Sequence, residues 1–234
     1  MNSLILLAGG SGERAQQKNP KQFVELNGKQ KTRLMYLQYP YTNEKNINFD
    51  EVIIVTPDDW RDIINNELLL YNLDVPCKVI SGGSTRSESS YLGLQACSSK
   101  CENVLIHDAA RPFVPKEIYA SCFQYLENYE SVIPIIPNKD TSIYFDSSEN
   151  INFINRDKMK LVQTPQAFKY DMITAAYKNQ EDGKTDDFQV LLNYNPKADI
   201  KFIEGSEKNF KVTTKEHIEI IKELYKINKH QFLY

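Results

Sequence analysis

Short apolar runs punctuate the first half of the chain: SLILLA from Ser3 to Ala8, EVIIVTP from Glu51, CKVISGG from Cys77, NVLIHD from Asn103 and SVIPIIP from Ser131. Each is rich in aliphatic residues and bounded by turn formers, the pattern of strands buried on both faces. Between several of them lie DDWRDIINNELLLY, SESSYLGLQACSS and PKEIYASCFQYLENY, where apolar residues recur at three- and four-residue spacing and predict helices. Strand and helix in alternation predict an α/β fold with a mostly parallel twisted sheet and helices on both faces.

The texture changes after Pro137. Two alternating stretches, around TSIYF and INFIN, flank a turn of Asp, Ser, Glu and Asn, and predict a β-hairpin arm over about 138–158. A short helix from about Tyr170, a strand DIKFIE, a loop GSEKNFKVTT and a terminal helix capped near Thr214 complete the chain. No internal repeat or linker interrupts residues 1–234, so a single domain is expected.

Composition narrows the function classes. With 28 basic and 31 acidic residues the net charge is −3, which gives no overall pull toward nucleic acid or an anionic membrane. Any anion site must therefore be local. The four cysteines form no Cys-x-x-Cys pair and have no histidine cluster beside them, so reduced thiols are expected. No signal peptide or bilayer-spanning run is evident, and a cytoplasmic enzyme is the expectation.

In a sheet of this kind ligands lie beyond the carboxyl ends of the strands, which directs attention to Gly9–Lys21, Gly82–Ser89 and Asp108–Pro112. In the first segment, Gly10-Ser11-Gly12-Glu13-Arg14-Ala15 fits a dinucleotide fingerprint, but Pro20 stands where its helix would continue. No Gly-Lys-Ser/Thr follows either, so the loop is not a Walker A motif. What remains is a glycine turn carrying Arg14 and Lys21, suited to wrapping a triphosphate with backbone N–H groups and two cations. A plain turn with two solvated cations fits this segment equally well.

The segments LLAGGSGERAQQKNPKQF, GGSTRSES, IHDAARPF, KDTSIYF, LVQTPQAF, TDD and NFKVTT, in this order, resemble the bacterial cytidylyltransferases of the 2-C-methyl-D-erythritol 4-phosphate type, a family with relatives acting on ribitol 5-phosphate. The resemblance runs from Leu4 to the terminal helix. It implies a nucleotidyltransferase fold of Rossmann-like type, binding of CTP and Mg2+, and a homodimer whose hairpin arms embrace. By the resemblance, Ala8, Gly9, Gly10 and Gly12 hold the triphosphate through the backbone while Arg14 and Lys21 neutralise it. Gly83, Ser84, Arg86 and Ser89 line the nucleoside end with Asp108 and Ala109, and Asp108 also takes the metal. Arg111, Thr141, Arg156 and Thr164 hold the sugar phosphate, Thr141 and Arg156 from the partner's arm, and Lys211 lies near the transferring phosphoryl group. Arg14, Lys21 and Lys211 are then the catalytic cations.

Blander readings stand beside these: helix capping for Arg86, Ser89, Asp186 and Asp187, a local ion pair for Asp108 and Arg111, and a packed core residue for His107. Thr141 would be an ordinary strand threonine, and Arg156 and Lys211 solvated cations. The chain departs from the family pattern at Lys208, where an acidic residue often stands. The activity expected is transfer of CMP from CTP to 2-C-methyl-D-erythritol 4-phosphate with release of pyrophosphate. Ribitol 5-phosphate is the alternative acceptor, and a silent nucleotide-binding module is the alternative of another class.

Overall fold

The computed structural model describes residues 1–9, 23–24, 47–69, 75–179 and 186–227. Within them run β1 (Asn2–Leu7), β2 (Glu51–Thr56), α1 (Asp58–Leu68), β3 (Cys77–Ser81), α2 (Arg86–Ala96), β4 (Asn103–Asp108), α3 (Lys116–Leu126) and β5 (Ser131–Pro137). The hairpin β6 (Ser142–Phe145) and β7 (Ile151–Ile154) follows, then a short 3₁₀ turn (Arg156–Lys158), β8 (Lys160–Val162), β9 (Gln166–Lys169), α4 (Tyr170–Lys178), α5 (Asp187–Tyr194), β10 (Ile200–Glu204) and α6 (Lys215–Ile227). The five apolar runs are all strands, and the three periodic stretches are all helices.

Eight strands form one sheet in the order β10-β5-β9-β4-β1-β2-β3, with β8 paired to β5 outside that path. Strands β1 to β4 are mutually parallel, as are β5 and β10, while β9 runs antiparallel between β4 and β5. The strand alternation sends Leu4, Leu6, Val52, Ile54 and Leu105 to one face, under α1 and α3. Ile5, Leu7, Ile53, Val55 and Ile106 go to the other, under α2, α4 and α5. Being covered on both sides is what leaves β2 buried along its whole length.

Helix α2 can lie close on this sheet because its inner face is made of small residues. Ser87, Ser89, Ser90 and Gly93 are among its buried positions, and a Cβ at 93 would come within 2.7 Å of Ile5. Its start is fixed by a capping box: the Thr85 hydroxyl accepts from Glu88 N, and the Glu88 carboxylate accepts from the Ser84 N–H and hydroxyl. The N-termini of β1 and β4 share one hydrogen-bonded edge. At the opposite edge, Ala8 N donates to Val55 O and Ala109 N to Leu7 O, so the exits of β1, β2 and β4 are locked together.

Candidate active site

Strand β4 delivers Asp108 to that edge, and three cations converge on it, Arg86 and Lys211 from distant parts of the chain and Arg111 from the turn that follows. Arg86 Nε, at the first turn of α2, lies 3.2 Å from Oδ1; Lys211 Nζ lies 2.6 Å from Oδ2; Arg111 Nε lies 4.0 Å from Oδ2. The carboxylate is only 6 % exposed. Burial alone would raise its pKa, but Arg86, Lys211 and Arg111 outweigh it and hold the group well below the usual carboxylate range. Asp108 is therefore ionised at any physiological pH.

Arg86 faces two carboxylates. Its Nη2 donates to Asp187 Oδ2 at 2.8 Å, and Asp187 Oδ1 accepts from the buried Tyr177 hydroxyl at 2.5 Å. Burial disfavours the guanidinium, yet Asp187 and Asp108 outweigh it and raise the pKa. Asp187 has no exposed surface, so its charge is compensated almost entirely by this contact. The helix cap at α5 is its neighbour: Asp186 accepts from Phe188 N and from Gln166 Nε2, while burial and the charge of Asp187 raise its pKa. Of the two aspartates expected as caps, Asp186 caps and Asp187 holds Arg86.

Beneath Asp108 lies His107, fully buried, with Nε2 3.0 Å from Arg111 O and Nδ1 2.9 Å from Thr164 Oγ1. Burial lowers its pKa to about 4, so the ring is neutral at pH 7. A carbonyl can only accept, which places the proton on Nε2 and leaves Nδ1 to accept from the Thr164 hydroxyl. Thr164 Oγ1 in turn accepts from Asp108 N at 3.1 Å. This chain fixes the turn from 108 to 111. His107 is thus a packed residue with both nitrogens occupied, and it offers no lone pair to a metal.

The turn after β3 meets the end of β1. Ser89 Oγ donates to Thr85 O and accepts from Gly83 N, and a Cβ at Gly9 would sit 3.4 Å from that same oxygen. A Cβ at Gly83 would fall 2.2 Å from the Glu88 side chain, so glycine is required for the carboxylate to fold back over the turn. Of the residues expected at the site, Ala8, Gly9, Gly83, Ser84, Arg86, Ser89, Asp108, Ala109, Arg111, Thr164 and Lys211 gather at this edge. Ser89 and Thr164 are buried, and their hydroxyls are committed to backbone and His107. Gly10, Gly12, Arg14 and Lys21 lie outside the described residues. Thr141 and Arg156 are exposed on the arm. Nothing local marks Asp187 as an ion-pair partner, because its contact with Arg86 spans 101 residues.

Among the described residues no group of three His, Cys, Asp or Glu side chains is placed to hold a metal. Asp108 nevertheless fits Mg2+, which takes one or two carboxylates together with substrate phosphates rather than an all-protein cage. It is an ionised hard-oxygen donor at the strand end.

Comparison with known proteins agrees with this geometry. A family model described as 2-C-methyl-D-erythritol 4-phosphate cytidylyltransferase matches residues 3–225. A Clostridium botulinum protein of that name is 35% identical over 221 residues, covering 93% of this chain and 94% of its own. A Lachnospira eligens protein of the same name is 36% identical over 226 residues, covering 94% and 97%. The crystal structure of 4-diphosphocytidyl-2C-methyl-D-erythritol synthase from Anaerococcus prevotii superposes with a TM-score of 0.81 at 28% identity, over 96% of each chain.

The double ion pair of Arg86 makes a prediction. Asp187→Asn keeps the shape and the acceptor for Tyr177 but removes the charge, and urea unfolding should show a loss of about 3 kcal/mol, as when one partner of a buried pair is removed. A loss below about 1 kcal/mol, the size expected of an exposed pair, would show that Asp187 does not anchor Arg86.

Proposed function

The chain belongs to the 2-C-methyl-D-erythritol 4-phosphate cytidylyltransferase family, and from that premise we propose that it transfers CMP from CTP to 2-C-methyl-D-erythritol 4-phosphate, releasing pyrophosphate. The observation that carries the proposal is the convergence of Arg86, Arg111 and Lys211 on Asp108 at the exits of β1 and β4. These cations gather at one strand-end edge in a protein of net charge −3, and the Lys211 side chain is 38% exposed there. Cations concentrated in this way suit an anionic ligand.

In this reading an oxygen of the acceptor phosphate attacks the α-phosphorus of CTP, a new P–O bond forms, and the bond to the pyrophosphate leaving group breaks. The attacking phosphate is already anionic at neutral pH, so the step needs no general base. Among the described residues, the two nearest candidates are not poised to be one: His107 is neutral with both nitrogens occupied, and Asp108 is held by cations. The chain's part is to position two anions that repel each other and to offset the charge that develops. Lys211, whose side chain is 38% exposed, can leave Asp108 for a phosphoryl oxygen at little cost in desolvation. Arg111 binds the acceptor phosphate. Arg86 stays tied to Asp187 and Asp108 and sets the nucleoside side. Arg14, Lys21 and the backbone at Gly9, Gly10 and Gly12 would hold the triphosphate. Mg2+ bound at Asp108 would neutralise phosphate charge.

We further propose that the protein is a homodimer through its arm. Hairpins of two short strands are marginal alone, and this one exposes Ile143, Tyr144, Phe145, Ile151 and Phe153, the last at 76%. Thr141 and Arg156 lie at its ends, and neither joins the cluster around Asp108 among the described residues. A partner's arm would bring them to the acceptor. No helix among the described residues is long and apolar enough to cross a membrane.

The function is tested by pyrophosphate release from CTP and Mg2+ with 2-C-methyl-D-erythritol 4-phosphate and D-ribitol 5-phosphate offered in parallel. Preference for the first is expected, with Lys211→Ala lowering turnover by about 100- to 1,000-fold, the scale of losing one transition-state stabiliser. Preference for ribitol phosphate, or CTP binding without release from either, would overturn the assignment. For the dimer, sedimentation of Phe153→Asp should show a monomer where the parent is a dimer; a monomeric parent would refute the arm's role.

A further inference from the structure

Lys211 belongs to no helix or strand, yet its ammonium meets Asp108 at 2.6 Å. Something must hold the loop that carries it. On its C-terminal side Val212 is buried and its N–H donates to Ala110 O. On its N-terminal side Phe210 packs against Phe113 and His217, and the polar hold on the loop centres on one buried amide, Gln163, which follows β8 and is 3% exposed.

The Gln163 side chain is saturated. Nε2 donates to Ser206 O at 2.8 Å and, more weakly, toward Asn209 O at 3.4 Å, while Oε1 accepts from Ser206 N at 3.0 Å and from Asn209 Nδ2 at 3.3 Å. Toward residue 206 the amide imitates a strand neighbour, exchanging one donor and one acceptor with the backbone. Asn209, fully buried, passes the hold on: its other amide hydrogen goes to Thr164 O at 2.8 Å, and its own carbonyl accepts from Arg111 Nη1 at 2.8 Å. Gly205 completes the fit, since a Cβ there would lie 2.5 Å from Gln163 Oε1. One amide thereby ties the loop of Lys211, two residues further along from Asn209, to the guanidinium of Arg111 across the site.

We infer that Gln163 is a positioning residue for the transfer reaction: acting through Asn209, it sets where Lys211 and Arg111 stand and touches neither substrate. The inference rests on the cytidylyl-transfer reading for its kinetic consequence, though not for its structural one. Its sense follows from chemistry. Gln163→Glu keeps the size and the accepting Oε1 but puts an oxygen where Nε2 stood, facing the carbonyls of Ser206 and Asn209. Ionised, the carboxylate would set three accept-only groups against one another; protonated, it would regain the bond to Ser206 O only at the cost of holding a proton at neutral pH, so in either form the loop is held less firmly.

Two measurements on the full-length protein test this. In hydrogen–deuterium exchange, Gln163→Glu should speed exchange of the 206–212 amides at least tenfold while the amides of β1 and β4 keep their rates. Unchanged exchange at 206–212 would overturn the inference whether or not the enzyme reading holds. In steady-state turnover, Gln163→Glu should lower kcat by about 10- to 100-fold, the scale of a misplaced group. The same change in a Lys211→Ala background should have a clearly smaller effect. Equal losses in the two backgrounds would mean that Gln163 only supports the fold. If Gln163→Glu fails to fold, Asn209→Ser, which removes both Nδ2 bonds, carries the same pair of expectations and the same refutation. A parent protein without turnover would refute the function, and the exchange result would still decide the clamp.

Discussion

One buried carboxylate organises this edge of the protein. Asp108 is carried out of the core on β4, and water is largely excluded from it, so its charge is tolerable only because Arg86, Lys211 and Arg111 surround it. The same condition runs outward. Arg86, buried in turn, requires Asp187, and Asp187 takes the Tyr177 hydroxyl. The chain of compensation ends in the interface between α4 and α5. A site for anionic ligands is in this way rooted in the packing of helices on the far side of the strand end.

The mixed sheet is what makes that arrangement possible. Strand β9 runs antiparallel beside β4, so the residues that lead into it, Gln163 and Thr164, arrive next to Asp108 rather than at the opposite edge. Thr164 then fixes Asp108 N and His107, and His107 fixes the carbonyl of Arg111. The four-residue segment from His107 to Ala110 presents Asp108 to its cations on one side and is braced on the other. Electrostatic catalysis asks for such bracing, since donors that need not reorganise stabilise developing charge most effectively.

The parallel strands were legible because each is a short apolar run that needs no partner to be recognised, and the helices because their period is 3.6. Strand β9 was not: QAFK is four residues long, follows a proline, and has no alternation of its own. Its character comes from lying between β4 and β5. The ordered motifs named candidate residues; of those the structure describes, all but Thr141 and Arg156 gather at the strand exits, and those two stay exposed on the arm. The division of labour at the site was less legible. Ser89 and Thr164 carry the same hydroxyls whether they face a ligand or brace a turn, and only the fold shows both oxygens spent inside the protein. Asp187 looked like a second helix cap, because nothing local distinguishes a capping aspartate from one paired with an arginine 101 residues away.

The central claim is that the charge of Asp108 holds the three cations in place. It is tested most directly by a crystal structure of Asp108→Asn, which conserves size and one accepting oxygen while removing the charge. The account predicts an unchanged sheet, with Lys211 withdrawn into solvent and Arg86 turned toward Asp187 alone. Lys211 and Arg86 found in their present positions around a neutral side chain would contradict it.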